Sequence, residues 1–410
     1  MHSSNNHVGA GLVPVLIPAI DQAMMVRVRR AMHEYPEIGY DLPRTLALVR
    51  SELDAIGIPY EFEKYGPSTI VATLEPTNSA GDSRPFTIGL RADMDALEIH
   101  EANDVPYRSK IDGQMHACGH DSHTAMLLGT AKALWGLRDS LRCRVKFLFQ
   151  PSEEQRPSGA RTMCQHGVMR DIDCILMCHV NCGDPAHAPS CCAGVTNATS
   201  LRFVITTRGR AVHIASQNMA IDALAMGHKV YSGIQMMISR EADPFDTCVI
   251  AVATMHAGTT SAVNADTCVM TGSIRCLKDS TRDWARSRME RLVKSVCREM
   301  GGEGGVEFDD PPLPCAVNDE RLYHAFVESS LKVVPRVLPL LPSPGGEDFA
   351  YYELEKPGLL FGLGMRNNAK GFNKAAHTKD WDIDEDAMET GARLFCQFVL
   401  DNQEEYLVKG

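Results

Sequence analysis

The clearest indication of fold class lies in residues 145–154, which read Val-Lys-Phe-Leu-Phe-Gln-Pro-Ser-Glu-Glu. The apolar run 145–149 predicts a buried β-strand, and polar residues follow directly where that strand ends. Functional side chains in α/β proteins collect at such strand ends. The stretch therefore predicts an α/β sheet with a site around Glu153 and Glu154.

Similar short β-rich runs lie on both sides of this stretch, at 69–74, 86–90 and 174–177. Helical spacing of apolar residues predicts helices over 45–56 and 124–134, and Gly57 follows the first of them as a C-terminal cap. Short apolar strands separated by amphipathic helices are typical of an α/β domain whose sheet is largely buried.

The pattern changes after residue 200, where a second, smaller unit is predicted. Strands are expected at 201–207, 247–253, 268–277 and 305–309, and helices at 219–239 and 281–300. This βαββαβ order is that of a ferredoxin-like unit. The last hundred residues, which include a closing helix at 385–399, are too few for another large domain. We therefore expect a discontinuous first domain, 1–198 and 312–410, interrupted by an inserted domain at 199–311.

Composition excludes several function classes. The 410-residue chain carries 41 Lys and Arg against 52 Asp and Glu, a net charge of −11, which argues against a nucleic-acid partner. No stretch approaches the roughly 18 continuous apolar residues of a membrane span. The N-terminus lacks the pattern of a signal peptide, so the fourteen cysteines favour a reducing, cytoplasmic compartment over a disulfide scaffold.

A metal-ligand pattern occupies residues 116–123, which read His-Ala-Cys-Gly-His-Asp-Ser-His. Cys118 and His120 are two positions apart, so in an extended segment both side chains point to the same side. Thiolate and imidazole together suit zinc or another transition metal better than magnesium or calcium. The alternative is a chance run of polar residues that opens a helix.

Glu153 and Glu154 suit a hydrolase because adjacent residues of an extended chain point in opposite directions. One carboxylate can then bind a metal while the other faces the attacking water. A solvated acidic pair at a helix N-terminus is the alternative. His179 and His377 would, taken singly, be hydrogen-bonded structural histidines, and it is their joint occurrence with the other two motifs that favours a metal site. A second group, Cys182, His187, Cys191 and Cys192, fits no closed four-ligand spacing.

These motifs together resemble one family over nearly the whole chain. The resemblance is carried by the segments 32–37, 91–97, 116–123, 150–154, 346–349 and 376–377. The chain is similar to the metal-dependent amidohydrolases and exopeptidases that include hippurate hydrolases, N-acyl-amino-acid amidohydrolases and indole-acetyl-amino-acid hydrolases. The resemblance implies an αβα mixed-sheet metallohydrolase domain with an inserted ferredoxin-like lid that dimerises.

The resemblance also implies a role for each candidate residue. Two divalent metals per subunit, manganese or zinc with nickel or cobalt also open, would be held by Cys118, His120, Glu154, His179 and His377. Glu153 would be the general base. His213 would be the lid histidine that reaches the other subunit's site, and Asn264 and Arg275 would hold the substrate carboxylate. A homodimer is implied, with a tetramer as the alternative.

The function expected from the residues and the resemblance is a dinuclear metal-dependent hydrolase. Its substrate would be the amide bond of an N-acyl or aryl-acyl amino acid, cleaved to a carboxylic acid and a free amino acid. One alternative is a metallo-exopeptidase, a carboxypeptidase or dipeptidase that acts on short peptides. A weaker alternative is a non-catalytic protein that binds metal and amino-acid conjugates, which has no use for Glu153 as a base.

Overall fold

A computed structural model describes residues 17–77 and 84–404 of the chain. Its strands are β1 (Tyr60–Phe62), β2 (Ile70–Leu74), β3 (Thr87–Asp93), β4 (Arg144–Gln150), β5 (Cys174–Pro185), β6 (Pro189–Cys191), β7 (Gly194–Asn197), β8 (Thr199–Arg208), β9 (Cys248–Ala257), β10 (Thr267–Cys276), β11 (Glu303–Phe308), β12 (Ala316–Asn318), β13 (Leu338–Pro339) and β14 (Gly358–Arg366). Its helices are α1 (Gln22–Glu34), α2 (Pro43–Ile56), α3 (His120–Gly136), α4 (Gly159–Gln165), α5 (Ala223–Arg240), α6 (Asp279–Glu299), α7 (Glu320–Ser330), α8 (Ala350–Glu353) and α9 (Met388–Asp401).

An eight-stranded mixed sheet forms the larger part of the structure, in the order β1-β2-β4-β3-β5-β14-β6-β13. The central strands β4, β3, β5 and β14 are mutually parallel, and β1 and β2 are antiparallel additions at one edge. Two hydrophobic clusters cover its two faces, one that includes α1, α2, α3 and α9 and one that includes α4 and α8. The predicted αβα mixed-sheet class is confirmed.

Burial from both sides explains why the central strands lack polar alternation. All seven residues of β3 are buried, as are eight of the nine in β14, because helices pack against both faces of a parallel sheet. Parallel strands end at the same edge of the sheet. The residues at the end of β3 and just beyond β4 are therefore neighbours in space although they are far apart in the chain.

A four-stranded antiparallel sheet, β11-β8-β10-β9, forms a separate unit between β7 and β12. Its helices α5 and α6 pack on one face, against Leu201, Phe203 and Ile205 of β8. This strand order and the βαββαβ sequence of elements are those of a ferredoxin-like unit, which we refer to by that name for residues 199–308. The chain leaves at β7 and returns at β12, and these two strands pair with each other. We retain 199–311 as the proposed domain boundaries.

Helix α5 begins later than the predicted residue 219. Ala220 is extended, and the Asp222 side chain accepts hydrogen bonds from the backbone N–H groups of Leu224 and Ala225. This N-cap fixes the helix start at Ala223. Asp222 is a better helix start signal than the apolar periodicity, which runs on through Met219.

Two core elements, α1 and β14, are absent from the sequence predictions. Strand β14 carries glycines at 358, 362 and 364, and glycine is depleted in strands. At Gly364 a Cβ atom would lie only 2.0 Å from the backbone oxygen of Pro185. Close strand packing therefore requires a residue that sequence propensity counts against a strand.

Within residues 17–77 and 84–404, no helix combines the length and the apolar character that crossing a bilayer requires.

Candidate metal centre

Helix α3 and strands β4 and β5 deliver four of the candidate ligands and Glu153 to one place. Cys118 precedes helix α3 and His120 begins it, Glu153 and Glu154 follow strand β4, and His179 lies within β5. Strand β5 continues past His179 to Pro185, well beyond the predicted run 174–177.

The turn into α3 depends on a glycine. Gly119 has φ +99°, a left-handed conformation that other residues rarely adopt. A Cβ atom at this position would lie 2.3 Å from Cγ2 of Val180 and 2.9 Å from the ring of Trp381. The glycine therefore lets Cys118 and His120 face the site while the backbone passes close to the sheet.

The structure brings together all five residues that the resemblance implies as metal ligands. The Cys118 Sγ lies 3.5 Å from His179 Nε2, and His377 Nε2 lies 3.2 Å from Glu154 Oε1. Three groups have potential ligand atoms within 4.8 Å of one another, and these groups are Cys118, His120 and His179; Cys118, Glu154 and His377; and His120, Glu153 and Glu154. Because the groups share members, they form one continuous cluster with room for more than one cation.

The pKa shifts show strong charge coupling within this cluster. Burial opposes ionisation of the Cys118 thiol, but the neighbouring His179 and His120 together outweigh burial and lower the pKa of Cys118 to about 6. Burial raises the pKa of Glu153 well above its ordinary value, and the Glu347 and Glu154 carboxylates raise it further. A thiolate among crowded carboxylates is an environment that cations stabilise.

Two histidine nitrogens are arranged as metal ligands would be. His179 Nδ1 donates to the Val180 carbonyl oxygen at 2.8 Å, which leaves Nε2 free toward Cys118. His120 Nε2 is buried and has no hydrogen-bond partner among the described residues. Thiolate, imidazole and carboxylate donors together fit zinc or another borderline divalent cation. The residues present therefore fit a dinuclear centre.

Behind the ligands, Asp95 organises the glutamate pair. Its two carboxylate oxygens accept the backbone N–H groups of Glu153 and Glu154, at 3.0 and 3.1 Å. Its Oδ1 also lies 3.3 Å from His120 Nδ1. No role was predicted for Asp95, and the signal in the sequence is its place in the 91–97 segment of the family resemblance.

Asp93 supports the other side of the cluster. Its Oδ1 accepts a 2.6 Å hydrogen bond from His123 Nδ1, and His123 Nε2 accepts the backbone N–H of Val180 at 2.9 Å. The fully buried Arg91 lies 2.8 Å from both Asp93 and Asp348. Such outer hydrogen bonds fix the orientation of ligand-bearing segments. Asp93, Arg91 and His123 are also functional candidates that sequence patterns alone did not identify.

A cleft of about 550 Å³ opens beside the cluster, between the larger sheet and the ferredoxin-like unit. Cys118, Glu153, Glu154, His179 and His377 line it, and so does Arg275 from strand β10. The volume lies in the range typical of small-molecule sites.

His213 and Asn264 are not among the residues that line this cleft. They are neighbours beyond the far end of β8, where the Asn264 N–H donates to the Val212 carbonyl at 3.0 Å. His213 is exposed, and Asn264 is buried with an amide oxygen that has no hydrogen-bond partner among the described residues. Within one chain, Arg275 therefore reaches the site and these two residues do not.

The second cysteine-histidine group from the sequence analysis does not form a cluster of metal ligands in the described part of the chain. Among the described residues, none of the clusters of potential metal ligands includes Cys182, His187, Cys191 or Cys192.

An αβα sheet with clustered thiolate, imidazole and carboxylate ligands at the strand ends defines a metal-dependent hydrolase. The peptidase family M20/M25/M40 matches residues 89–401. The chain belongs to this family, which confirms the resemblance drawn from the sequence, and it is a hydrolase rather than a non-catalytic binding protein.

Named relatives within the family differ in activity. A thermostable carboxypeptidase of Saccharolobus solfataricus is 33% identical over 371 residues, which cover 90% of this chain and 92% of that protein. An IAA-amino acid hydrolase (ILR1-like 5) of Arabidopsis thaliana is 32% identical, over an aligned region that spans 92% of this chain and 87% of that protein. The Bacillus subtilis YxeP protein, described as a dinuclear metal-binding peptidase, superposes with a TM-score of 0.80 at 28% identity, over 92% of this chain and 97% of that structure.

Proposed function

We propose that this hydrolase cleaves the amide bond of N-acyl or aryl-acyl amino acids and releases a carboxylic acid and a free amino acid. The observation that carries the proposal is that a half-buried carboxylate, Glu153, and a guanidinium, Arg275, line the same cleft. The first suits proton transfer at an amide, and the second suits recognition of the carboxylate that an amino-acid leaving group carries.

Cys118, His120, Glu154, His179 and His377 would hold the two divalent cations. Bound there, the cations supply Lewis acidity that polarises the amide carbonyl and acidifies water. Manganese and zinc both remain open, since the ligand set combines soft sulfur with nitrogen and oxygen.

Glu153 performs the proton transfers in this proposal. Its carboxylate accepts the proton of the attacking water and then delivers it to the nitrogen of the departing amine, so that the base of the first step is the acid of the second. Hydrogen bonding of its backbone N–H to Asp95 holds the residue at the edge of the cleft.

Arg275 provides the recognition of the amino-acid half. Its Nη1 lies 3.1 Å from the position that a Cβ atom would take at Gly346, the residue before Glu347. Glu347 in turn has a carboxylate oxygen within 4.8 Å of a Glu153 oxygen. Arg275 and Glu153 line the same cleft, so a substrate whose carboxylate pairs with Arg275 would present its amide toward Glu153.

We further propose a homodimer in which His213 and Asn264 act on the partner's site. Arg202 lies at the cleft and Arg208 at the far end of β8, six positions along the strand. At the usual rise of a strand, this separation is about 20 Å. His213 and Asn264 lie beyond that end and so need a second copy of the chain to meet a substrate. A histidine N–H in that position would stabilise the oxyanion.

The exopeptidase activity is a second candidate because a relative of similar identity and coverage is named a carboxypeptidase. A carboxypeptidase substrate also presents a terminal carboxylate to Arg275 and an amide to Glu153. The two candidates differ only in the acyl half, which is an organic acid in one and a peptide in the other.

The test compares metal-reconstituted wild type with Glu153→Gln on N-acetyl, benzoyl and indole-acetyl amino acids and on dipeptides. We expect the wild type to cleave the acyl amino acids and Glu153→Gln to lose roughly 10²- to 10⁴-fold in kcat. Metal content, measured in parallel, should be unchanged because Glu153 is not a proposed ligand. Cleavage of dipeptides alone would favour the exopeptidase, and cleavage of nothing by the wild type would contradict both.

A further inference from the structure

The cleft carries more positive charge than one substrate carboxylate requires. Besides Arg275, the side chains of Arg156 and Arg202 line it. Arg156 follows the glutamate pair by two positions, and Arg202 lies on strand β8 of the ferredoxin-like unit. Three guanidinium groups from three segments therefore face one cavity beside the metal cluster.

The register of β8 and β10 puts two of these arginines side by side. Arg275 pairs with Ser200, and Ser273 pairs with Arg202. Side chains two positions apart share a face, so Arg202 and Arg275 are diagonal neighbours on the face opposite α5 and α6. Both also border the shallow depression on that face. Burial, and then the proximity of Arg202 and Arg156, lowers the pKa of Arg275.

The positive charge of Arg202 and Arg275 is not neutralised locally. Within residues 17–77 and 84–404, no carboxylate lies at ion-pair distance from either guanidinium. Arg156 is partly compensated, with Asp309 at 3.6 Å and the Pro311 carbonyl at 3.1 Å. Neighbouring like charges without partners destabilise a protein unless an anion binds between them.

The acidic residues of the cleft lie elsewhere. Glu153, Glu154, Glu347 and Asp348 belong to the metal cluster or to the buried Arg91 network. Asp184 lies near Asn181, whose amide is 3.3 Å from its carboxylate. Charge in the cleft is thus divided into an acidic end that suits cations and a basic end that suits anions.

We propose that Arg202 and Arg156 form a second anion subsite beside Arg275, and that the preferred substrates are N-acyl conjugates of aspartate or glutamate. The inference rests on the proposed function. Arg275 would bind the α-carboxylate, and the side-chain carboxylate, only a few bonds away, would reach its neighbours Arg202 and Arg156. A substrate amino acid with a neutral side chain would leave the positive charge of Arg202 and Arg156 unpaired.

Two measurements test the subsite. The first is kcat/KM for matched pairs, N-acetyl-glutamate against N-acetyl-glutamine and N-acetyl-aspartate against N-acetyl-asparagine. The second is calorimetric binding of free glutamate and glutamine to the metal-loaded protein, which needs no turnover. Variants are Arg202→Gln, Arg156→Gln and the charge-conserving Arg202→Lys. Arg208→Gln is the matched control, since it removes the same charge from the other end of β8.

The wild type should prefer the acidic member of each pair in both measurements. Arg202→Gln should reduce the ratio of kcat/KM for the glutamate over the glutamine conjugate about tenfold, the size of one charge-assisted hydrogen bond, chiefly through KM. Arg156→Gln should reduce it less because Asp309 already compensates that charge. Arg202→Lys should restore part of the preference, and Arg208→Gln should leave it intact.

The outcomes separate this inference from the proposed function. Equal binding of glutamate and glutamine by the wild type, or an unchanged ratio in Arg202→Gln, would overturn the subsite while leaving the amidohydrolase activity standing. Failure to cleave any acyl amino acid, with glutamate still bound preferentially, would overturn the proposed activity and support the charge recognition.

Discussion

Asp95 fixes the backbone of two consecutive glutamates with one carboxylate. Because both N–H groups of Glu153 and Glu154 point at Asp95, the backbone bends at this pair, and an oxygen of each side chain lies within 4.8 Å of the other. The sequence places both glutamates just after β4, but the expected extended chain, with the two side chains on opposite sides, is not what the structure has. It could not identify the residue that holds the pair in place, since the contacts join positions 58 and 59 apart.

Replacement of Asp95 by asparagine should weaken the metal centre without removing a proposed ligand. The substitution replaces one oxygen of the Asp95 carboxylate by an NH₂ group, which cannot accept a backbone N–H. The segment that bears Glu154 therefore shifts. Loss of such an outer hydrogen bond typically lowers metal affinity by about 10- to 100-fold. Competition with a chelator measures this affinity directly, with no need for turnover.

Asp112→Asn serves as the control for Asp95→Asn. The Asp112 carboxylate pairs with His100 at the surface, and both side chains are more than two-thirds exposed. Its replacement should leave metal affinity unchanged. Equal affinities of Asp95→Asn and wild type would show that the glutamate pair keeps its place without this carboxylate.

The elements of the fold were predictable where periodicity is clean. Helix α2 was predicted to within two residues of its start, and Gly57 caps it with φ +90°. Strand β14 was not predicted, because Gly362 and Gly364 resemble turn residues in sequence and their role is to let other strands approach. Packing constraints of this kind depend on residues distant in the chain, which local patterns do not contain.

The short helix α8 packs on strand β12 through a buried glutamate. Glu353 Oε2 accepts the backbone N–H of Val317 at 2.6 Å, and Oε1 has no hydrogen-bond partner among the described residues. Burial raises the pKa of Glu353 from 4.5 to about 8, despite the hydrogen bond from Val317. In the pH range between these two values, the folded protein holds a proton that the unfolded chain releases.

This difference in proton binding predicts how stability depends on pH. The folded-state pKa is the raised one, so the contribution of Glu353 to the free energy of unfolding is complete below about pH 4.5 and is lost as pH rises toward 8. We expect Glu353→Gln, which cannot ionise, to gain roughly 3 kcal/mol relative to wild type between pH 5 and 8. Urea unfolding of both proteins at pH 5, 6, 7 and 8 measures the gap.

A matched control for this pH dependence is Glu355→Gln, which alters an exposed glutamate two positions further along the chain. Its free energy of unfolding should follow the wild type at every pH. If the difference between Glu353→Gln and wild type stays constant from pH 5 to 8, Glu353 does not carry a proton in the folded protein.

At the scale of the whole molecule, the site is divided between two regions of the chain. The metal cluster and Arg275 meet in one cleft, whereas His213 and Asn264 lie beyond the far end of β8. The family resemblance assigned His213 to the other subunit's site, but it gave Asn264 and Arg275 one shared role. Only the tertiary structure shows that one chain assembles the metal cluster and Arg275 but not His213 and Asn264, because sequence motifs give no distances.

The proposed dimer predicts complementation between two inactive variants. Glu153→Gln keeps His213, and His213→Ala keeps Glu153, so a mixed dimer contains one site with both groups intact. After unfolding and refolding an equimolar mixture with metal, random pairing should restore about one quarter of the wild-type sites, measured as hydrolysis of an N-acyl amino acid. Each variant refolded alone should remain inactive. If the mixture shows no more activity than the two variants refolded separately, His213 does not act across the interface.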